Sequence, residues 1–155
     1  MSLILASSSP FRKAILEKLG VSFIAVSPNI DETRKTAETP YDLVYRLAEE
    51  KAKEVAKTHS GLIIASDQVA TLDSGNEEGD EILNKPLTHQ NAFAQLQKSS
   101  GRTVTFLTSI ALLNTETGIL QNHVEFFRVF FKSLSDNHIL SYLEKEDVLD
   151  RKSVV

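Results

Sequence analysis

The chain has 155 residues, enough for one domain with a substantial core, and 41% of them are hydrophobic and 25% charged. The formal net charge of -4 argues against a broad surface for nucleic acid or an anionic membrane, so we expect neither partner. The chain has no cysteine, which excludes disulfides and thiol chemistry, suits a reducing compartment and leads us to expect a cytoplasmic protein. No stretch approaches the ~20 apolar residues that span a bilayer, and the four histidines lack zinc-ligand spacing.

The first residues predict a strand, a tight turn and a helix. Residues 3–6 form a short apolar run, and the Ser9-Pro10 pair supplies an N-cap followed by a proline at the first helical position. Arg12 and Lys13 then fall in the first turn, where cations are mildly unfavourable unless an anion is bound. Two interpretations stay open: a capped helix with two solvated cations, or a phosphate site built from hydroxyls, helix N–H groups and cations.

The next segment predicts a second strand and a polar loop. Val21–Val26 follows a Leu-Gly helix stop, and strand, helix, strand suggests a crossover unit in a mainly parallel sheet. The loop that follows carries Asp31 and Glu32, adjacent carboxylates close behind a strand end. They are either solvated or ligands of a divalent cation.

A long amphipathic helix is predicted from the Thr39-Pro40 pair to about His59, because apolar residues recur at helical spacing. Most of its charged residues are typical of a solvated face. Lys51 lies beside the apolar stripe, so its side chain either extends to the surface along the core edge or points inward.

A strongly apolar strand, Leu62 to Ala65, is predicted to end directly in Ser66-Asp67-Gln68. Ligands of open α/β sheets gather outside the carboxyl ends of strands. A carboxylate there is costly unless a metal, a cation or a hydrogen bond meets it. Asp67 is therefore a candidate site residue, and the alternative is a turn aspartate that bonds its own backbone.

The middle of the chain offers one further cation. Residues 73–81 are Gly-rich and acidic without the pattern of a calcium loop, and we interpret them as a solvated hairpin tip. Lys85 precedes a proline, which favours an extended conformation and a well-placed cation. It is either a phosphate ligand or an ordinary surface lysine.

The remaining pattern predicts a helix over 88–99, long strands over 102–113 and 119–132, and a last helix capped by Ser135. The second long strand carries four phenylalanines, at positions 126, 127, 130 and 131. We expect them in the core, although exposed aromatic residues on a strand also form base-stacking platforms.

Several of these segments, in this order, resemble the Maf family of nucleotide pyrophosphatases. The match runs from residue 3 to about residue 149. The segments that carry it are Leu3-Ile-Leu-Ala-Ser-Ser-Ser-Pro-Phe-Arg-Lys13, Asp31-Glu-Thr33, Leu47-Ala-Glu-Glu-Lys-Ala52, Ala65-Ser-Asp-Gln-Val69, Asn84-Lys-Pro-Leu87 and Ser100-Gly101.

The resemblance implies a mixed α/β fold, with an elongated, twisted sheet flanked by helices and a deep cleft, as in inosine-triphosphate pyrophosphatases. It implies hydrolysis of the α–β phosphoanhydride of a nucleoside triphosphate to the monophosphate and pyrophosphate, with Mg²⁺ or Mn²⁺ as cofactor. It also suggests a homodimer.

The resemblance and the chemistry together assign the catalytic groups. Asp67 is the general base, or a metal ligand that generates the nucleophile, and Glu32 is the first candidate to hold the cation. Arg12, Lys51 and Lys85 would neutralise the triphosphate.

Four further residues would bind the substrate. The hydroxyls of Ser7 and Ser8 would donate to phosphate from the turn. With an aromatic residue at Phe11 and a glutamine at Gln68, the chain resembles the subgroup of the family that acts on 7-methyl-GTP. Such an assignment is physically reasonable: an aromatic ring stacks well on a cationic methylated purine, and an amide bonds a base edge. The dTTP/UTP subgroup typically has arginine and threonine at these positions.

The end of the chain departs from the family pattern. Family members continue for roughly another 40 residues by analogy, whereas residues 150–155 do not match. We therefore expect a single Maf-like domain over 1–155 that is truncated relative to the family. The alternatives are a non-catalytic nucleotide-binding remnant and a dTTP/UTP-type pyrophosphatase.

Overall fold

The computed structural model describes residues 1–73 and 80–146. The strands are β1 Leu3–Ala6, β2 Ile24–Val26, β3 Leu62–Leu72, β4 Glu81–Leu83, β5 Thr103–Asn114 and β6 Leu120–Phe130. The helices are α1 Pro10–Glu17, α2 Pro40–Ala56, α3 His89–Ser99 and α4 Asp136–Lys145. None of the helices in the described ranges combines the length and apolar character needed to cross a bilayer. The predicted hairpin tip falls largely outside the described residues.

Three of the four helices begin at the predicted caps, and the helix predicted from residue 88 begins after Thr88, which is its cap. The side chains of Ser9, Thr39, Thr88 and Ser135 each accept a backbone N–H from three residues further on. Each of these hydroxyls satisfies a donor that the first helical turn leaves without an intrahelical partner. The cap-plus-proline pattern therefore predicted the starts of α1 and α2 correctly, and the Ser135 cap predicted the start of α4.

The sheet is mixed, as expected. Its strand order is β2-β1-β3-β5-β6, with β4 paired to β3. β1 runs parallel to both β2 and β3, whereas β4 is antiparallel to β3. β2 is shorter than predicted, since the residues that pair with β1 are Ile24 to Val26, opposite Ile4 to Ala6.

The chain forms two compact units, Met1–Asp67 with Thr108–Glu125 and Gln68–Leu107 with Phe126–Val155. β3, β5 and β6 each contribute residues to both. The prediction of one domain over 1–155 stays a prediction.

In the first unit, α2 packs on one face of β1 and β3. Their shared core contains Ile4, Ala52, Val55, Ile63 and Ala65, all between 0 and 2% exposed. Alternate residues of a strand face the same side, so the side of β3 that carries Ile63 and Ala65 faces α2.

The second unit holds two smaller cores. One lies between α3 and α4 and contains Ala92, Leu96, Ile139 and Leu143. The other contains Ala70, Leu72, Leu83 and Val104, where β3 meets β4 and β5.

The prediction that the β6 phenylalanines are core residues is wrong for three of the four. Phe126, Phe127 and Phe130 are 53%, 68% and 75% exposed. Phe131, just after the strand, packs against both core clusters of the second unit. β6 is the last strand in the sheet order, and most of its residues are exposed. A sequence pattern typical of a strand therefore did not indicate a buried face here.

Candidate active site

The turn between β1 and α1 is built from serine hydroxyls. The Ser7 N–H donates to the Leu5 carbonyl at 3.0 Å, and the buried Ser7 hydroxyl accepts the Ser9 N–H at 3.1 Å. The Ser9 hydroxyl accepts the Arg12 N–H at 3.4 Å, while Ser8 is exposed. The expected strand, turn and capped helix are thus present, with a hydroxyl at each step.

Arg12 is partly buried beside two carboxylates. Burial lowers the pKa of its guanidinium from the ordinary value, and the charges of Asp67 and Glu32 oppose that shift. The turn, the general-base candidate and the metal-ligand candidate therefore share one electrostatic neighbourhood. These three groups come from separate stretches of the sequence.

The expectation that Asp67 ends a strand is wrong. β3 continues to Leu72, so Asp67 lies in the middle of an 11-residue strand, 1% exposed. Asp67 nevertheless lies close to the end of a neighbouring strand, because Ala6, the last residue of β1, pairs with Ala65. The turn that follows β1 therefore begins next to the β3 residues that follow Ala65.

Lys51 points inward and joins two carboxylates. Its Nζ lies 2.8 Å from Asp67 Oδ1 and 2.5 Å from Glu32 Oε1, and the residue is only 4% exposed. Asp67 meets it because both lie between α2 and the α2-facing side of β3. In the structure Lys51 forms ion pairs with two carboxylates, whereas the sequence analysis predicted that it would neutralise the triphosphate.

Ser109 is a supporting residue that the sequence analysis missed. Its fully buried hydroxyl accepts the Asp67 N–H at 3.0 Å and lies 2.6 Å from the Val44 carbonyl of α2. A hydroxyl between β5, β3 and α2 fixes the strand carrying the base candidate against the helix carrying Lys51. Its only sequence signal is a polar residue at a buried position of an apolar strand.

The loop before α2 separates its two adjacent carboxylates. Asp31 Oδ1 accepts the Thr33 N–H at 2.9 Å, and hydrogen bonds from Thr33 lower the pKa of Asp31. Glu32 instead reaches Lys51, with its side chain 47% exposed. Only the second carboxylate is directed at the candidate site.

The same loop is held to α2 by Arg46. Its Nε lies 2.5 Å from Glu38 Oε1 and its Nη2 donates to Glu38 Oε2 at 2.9 Å. The Arg46 hydrogen bond, more than any other contact, lowers the pKa of Glu38 to about 2, although partial burial opposes it. Glu38 is therefore ionised across the whole neutral range.

Replacing Glu38 by glutamine is expected to lower the free energy of unfolding at pH 7, with a loss that shrinks in acid. A depressed carboxyl pKa stabilises the folded state fully above the ordinary value of 4.5, and that stabilisation disappears as pH falls to about 2. Urea unfolding of wild type and Glu38→Gln from pH 2 to 7 measures the difference. Glu116→Gln, an exposed hairpin-loop change, is the control. A pH-independent difference for Glu38 would contradict the assignment.

The other predicted residues occupy distinct positions. Phe11 lies in the first turn of α1 and is 56% exposed. Gln68 is partly buried and follows Asp67 in β3, so its side chain faces the opposite side of the strand. Lys85 is exposed after β4, in the second unit. The substrate-binding roles of these residues stay predictions.

A separate cavity of about 700 Å³ lies between α3 and α4 in the second unit. Its lining includes Phe93, Leu140 and Leu143, and none of the predicted site residues. Its apolar character does not suit a polyphosphate. The chemistry-bearing side chains thus converge elsewhere, in the first unit.

The donor set fits a divalent cation. Across the described parts of the chain, no three His, Cys, Asp or Glu side chains cluster as a complete protein site would require. Glu32 and Asp67 nevertheless direct oxygens at one point, occupied by the Lys51 ammonium. Mg²⁺ is usually held by one or two carboxylates together with substrate phosphates, so two converging carboxylates suffice.

Comparison with known proteins first defines the class of fold. The structure of the Staphylococcus aureus Ham1 protein superposes with a TM-score of 0.59 at 13% sequence identity, over 88% of this chain and 73% of that one. At that identity the likeness concerns the fold alone, a mixed α/β sheet flanked by helices.

Sequence comparison then identifies the family. Residues 2–153 match the model described as Maf-like protein. The chain is also 50% identical, over 150 residues, to the 7-methyl-GTP pyrophosphatase of Pseudoalteromonas atlantica, covering 97% of this chain and 74% of that protein. The chain therefore belongs to the Maf family, as the ordered motifs indicated.

Proposed function

We propose that the protein is a nucleoside triphosphate pyrophosphatase. It hydrolyses the α–β phosphoanhydride of 7-methyl-GTP, or a related modified nucleotide, to the monophosphate and pyrophosphate. The observation that carries the proposal is the cluster in which Lys51 joins Asp67 and Glu32 beside the Ser7–Arg12 turn. Family membership and the 50% identical relative support the reaction class.

Asp67 supplies the base. A water oxygen adds to one phosphorus of the α–β bridge, and the bond from that phosphorus to the bridging oxygen breaks, so that the monophosphate and pyrophosphate separate. The water proton passes to an Asp67 carboxylate oxygen. The Lys51 hydrogen bond orients that carboxylate, and Ser109 fixes its backbone. In this proposal Lys51 acts on the carboxylates rather than on the triphosphate.

The turn and the cation neutralise the polyanion. Arg12 and the Ser7 and Ser8 hydroxyls bind phosphate oxygens, since cations and donors at a helix start form an anion site. Glu32 and Asp67 would hold Mg²⁺ or Mn²⁺, which supplies further charge neutralisation for the phosphates.

Phe11 and Gln68 recognise the base. An exposed aromatic ring stacks on a cationic 7-methylguanine more strongly than on a neutral purine, since the positive charge lies over the ring face. Gln68 both donates to and accepts from a base edge.

We further propose that the protein acts in the cytoplasm and forms a homodimer. Light scattering of the purified protein tests the homodimer.

A substrate panel tests the function. The protein is incubated with 7-methyl-GTP, GTP, dTTP or UTP and with Mg²⁺ or Mn²⁺, and pyrophosphate and orthophosphate are measured separately. Pyrophosphate from 7-methyl-GTP supports the proposal. Preference for dTTP and UTP indicates the other subgroup, and thermal stabilisation by nucleotide without turnover indicates a non-catalytic binder. Orthophosphate as the first product contradicts the reaction class.

Lys85→Ala is expected to lower kcat/KM by about 10- to 100-fold, the range expected for one charge-assisted hydrogen bond to phosphate. The matched control is Lys98→Ala, which removes an exposed lysine of α3 that pairs with Glu81. Steady-state kinetics of both variants give the comparison. An unchanged kcat/KM for Lys85→Ala removes this residue from the site.

A further inference from the structure

Glu32 depends on a loop that has little regular structure of its own. Residues 27–39 contain neither helix nor strand, and one of them, Ala37, has a positive φ of 58°. A carboxylate on such a loop has many accessible positions, so holding it against Lys51 requires fixed contacts elsewhere in the loop. The structure supplies them from α2.

Arg46 makes those contacts with two of its guanidinium nitrogens, Nε and Nη2, while the third, Nη1, bonds a glutamate of α2 itself. Besides its two bonds to Glu38, it donates through Nη1 to Glu50 Oε2 at 3.0 Å and through Nη2 to the Thr33 carbonyl at 3.2 Å. The Arg46 and Glu38 side chains are only 17% and 8% exposed. A two-pronged, largely covered pair of this kind fixes geometry far better than a solvated surface pair.

The Thr33 contact lies one residue from Glu32. Arg46 therefore holds the chain directly after the metal-ligand candidate, and Glu38 holds it five residues further on. Lys51, on the same helix, forms an ion pair with the Glu32 carboxylate itself. The same helix thus anchors the loop through Arg46 and contacts the Glu32 side chain through Lys51.

We propose that Arg46 is a positioning residue for the pyrophosphatase reaction: by clamping the 33–38 loop onto α2, it holds Glu32 at the Lys51–Asp67 pair. The proposal rests on the proposed function. It assigns Arg46 no contact with substrate, and its effect passes through Glu32. Groups that orient a ligand in this way commonly contribute 10- to 100-fold in metal affinity or activity.

A double-mutant cycle separates this role from general stability. Arg46→Gln is expected to lower kcat/KM by about 10- to 100-fold and to raise the Mg²⁺ concentration for half-maximal activity. In a Glu32→Gln background the same change should cost less than about 2-fold, because the residue it positions is already neutralised. Lys53→Gln, which breaks an exposed ion pair on the same helix, is the control and should leave activity unchanged. Equal losses in both backgrounds overturn the proposal.

A second readout does not need catalysis. In the wild-type protein, Thr33 N–H and Lys35 N–H donate to side chains of the clamped loop. Amide hydrogen exchange of the Arg46→Gln protein should therefore accelerate in residues 31–38 and stay unchanged in β1 and β3. Unchanged loop exchange, or acceleration across the whole first unit, overturns the positioning role. If the wild type releases no pyrophosphate, the proposed function fails, and the exchange result still tests the clamp.

Discussion

Replacing Asp67 by asparagine is expected to lower kcat by 10²–10⁴-fold, the usual contribution of a positioned general base. Asparagine keeps the size of the side chain but accepts no proton at the working pH. Nucleotide binding should persist, because Arg12 and the serine hydroxyls of the turn are untouched. Single-turnover kinetics and nucleotide-dependent thermal shifts measure the two effects separately.

The control for this change is Asp73→Asn, the same substitution at an exposed residue just after β3. It should leave turnover unchanged. Asp67→Asn also leaves the Lys51 ammonium with Glu32 as its one remaining carboxylate partner among the described contacts, so some loss of stability is expected. Near-normal turnover in a folded Asp67→Asn protein contradicts the base assignment.

Replacing Lys51 by methionine is expected to have the largest effect on stability. It leaves Asp67, 1% exposed, without the ammonium 2.8 Å away and removes the charge that lets two carboxylates share one site. Breaking a buried pair by removing one partner typically costs about 3–5 kcal/mol. For a chain of this size, that corresponds to a fall in Tm of roughly 10 °C.

Calorimetry of Lys51→Met and of Lys53→Met tests this expectation. Lys53 lies two residues further along the same helix with its side chain 60% exposed, so its replacement should shift Tm by a degree or two at most. If Lys51→Met does not fold, Lys51→Arg tests the site with the charge kept, and should retain the fold with lower activity because a planar fork replaces a point charge. An unchanged Tm for Lys51→Met would contradict the buried pair.

The sequence predicted best what depends on neighbours along the chain. The caps at Ser9, Thr39 and Ser135 and the apolar period of α2 are local signals, and these helices begin where those signals fall. The crossover from β1 through α1 to β2 was equally local. The mixed sheet as a whole was predicted from the resemblance to the family.

The position of Asp67 in its strand was predicted incorrectly, and its role in the site stays a prediction. The run Ser66-Asp67-Gln68 has the composition of a turn, and short-range patterns favour ending the strand there. The partners that allow a carboxylate inside β3 come from far along the chain. Lys51 lies 16 residues before it and Ser109 lies 42 residues after it. A pattern read over neighbouring residues cannot show contacts between residues so far apart in the sequence.

Arg46 was missed for a related reason. On α2 it lies among charges at i,i+4 spacing, which are typical of a solvated helix face. Its principal partner, Glu38, is eight residues earlier and precedes the helix. The exposed phenylalanines of β6 are the reverse case, because a strand pattern identifies an extended segment without saying whether anything covers it.

The spacing between Arg46 and Lys51 restricts how α2 can vary in length. An α-helix turns about 100° per residue, so inserting or deleting one residue between these positions would rotate one partner away while the other stayed in place. Glu38 and Asp67 could then no longer be reached by the same rigid element. Related chains should therefore exchange residues freely on the solvent side of α2, yet keep the second cation five residues after the first.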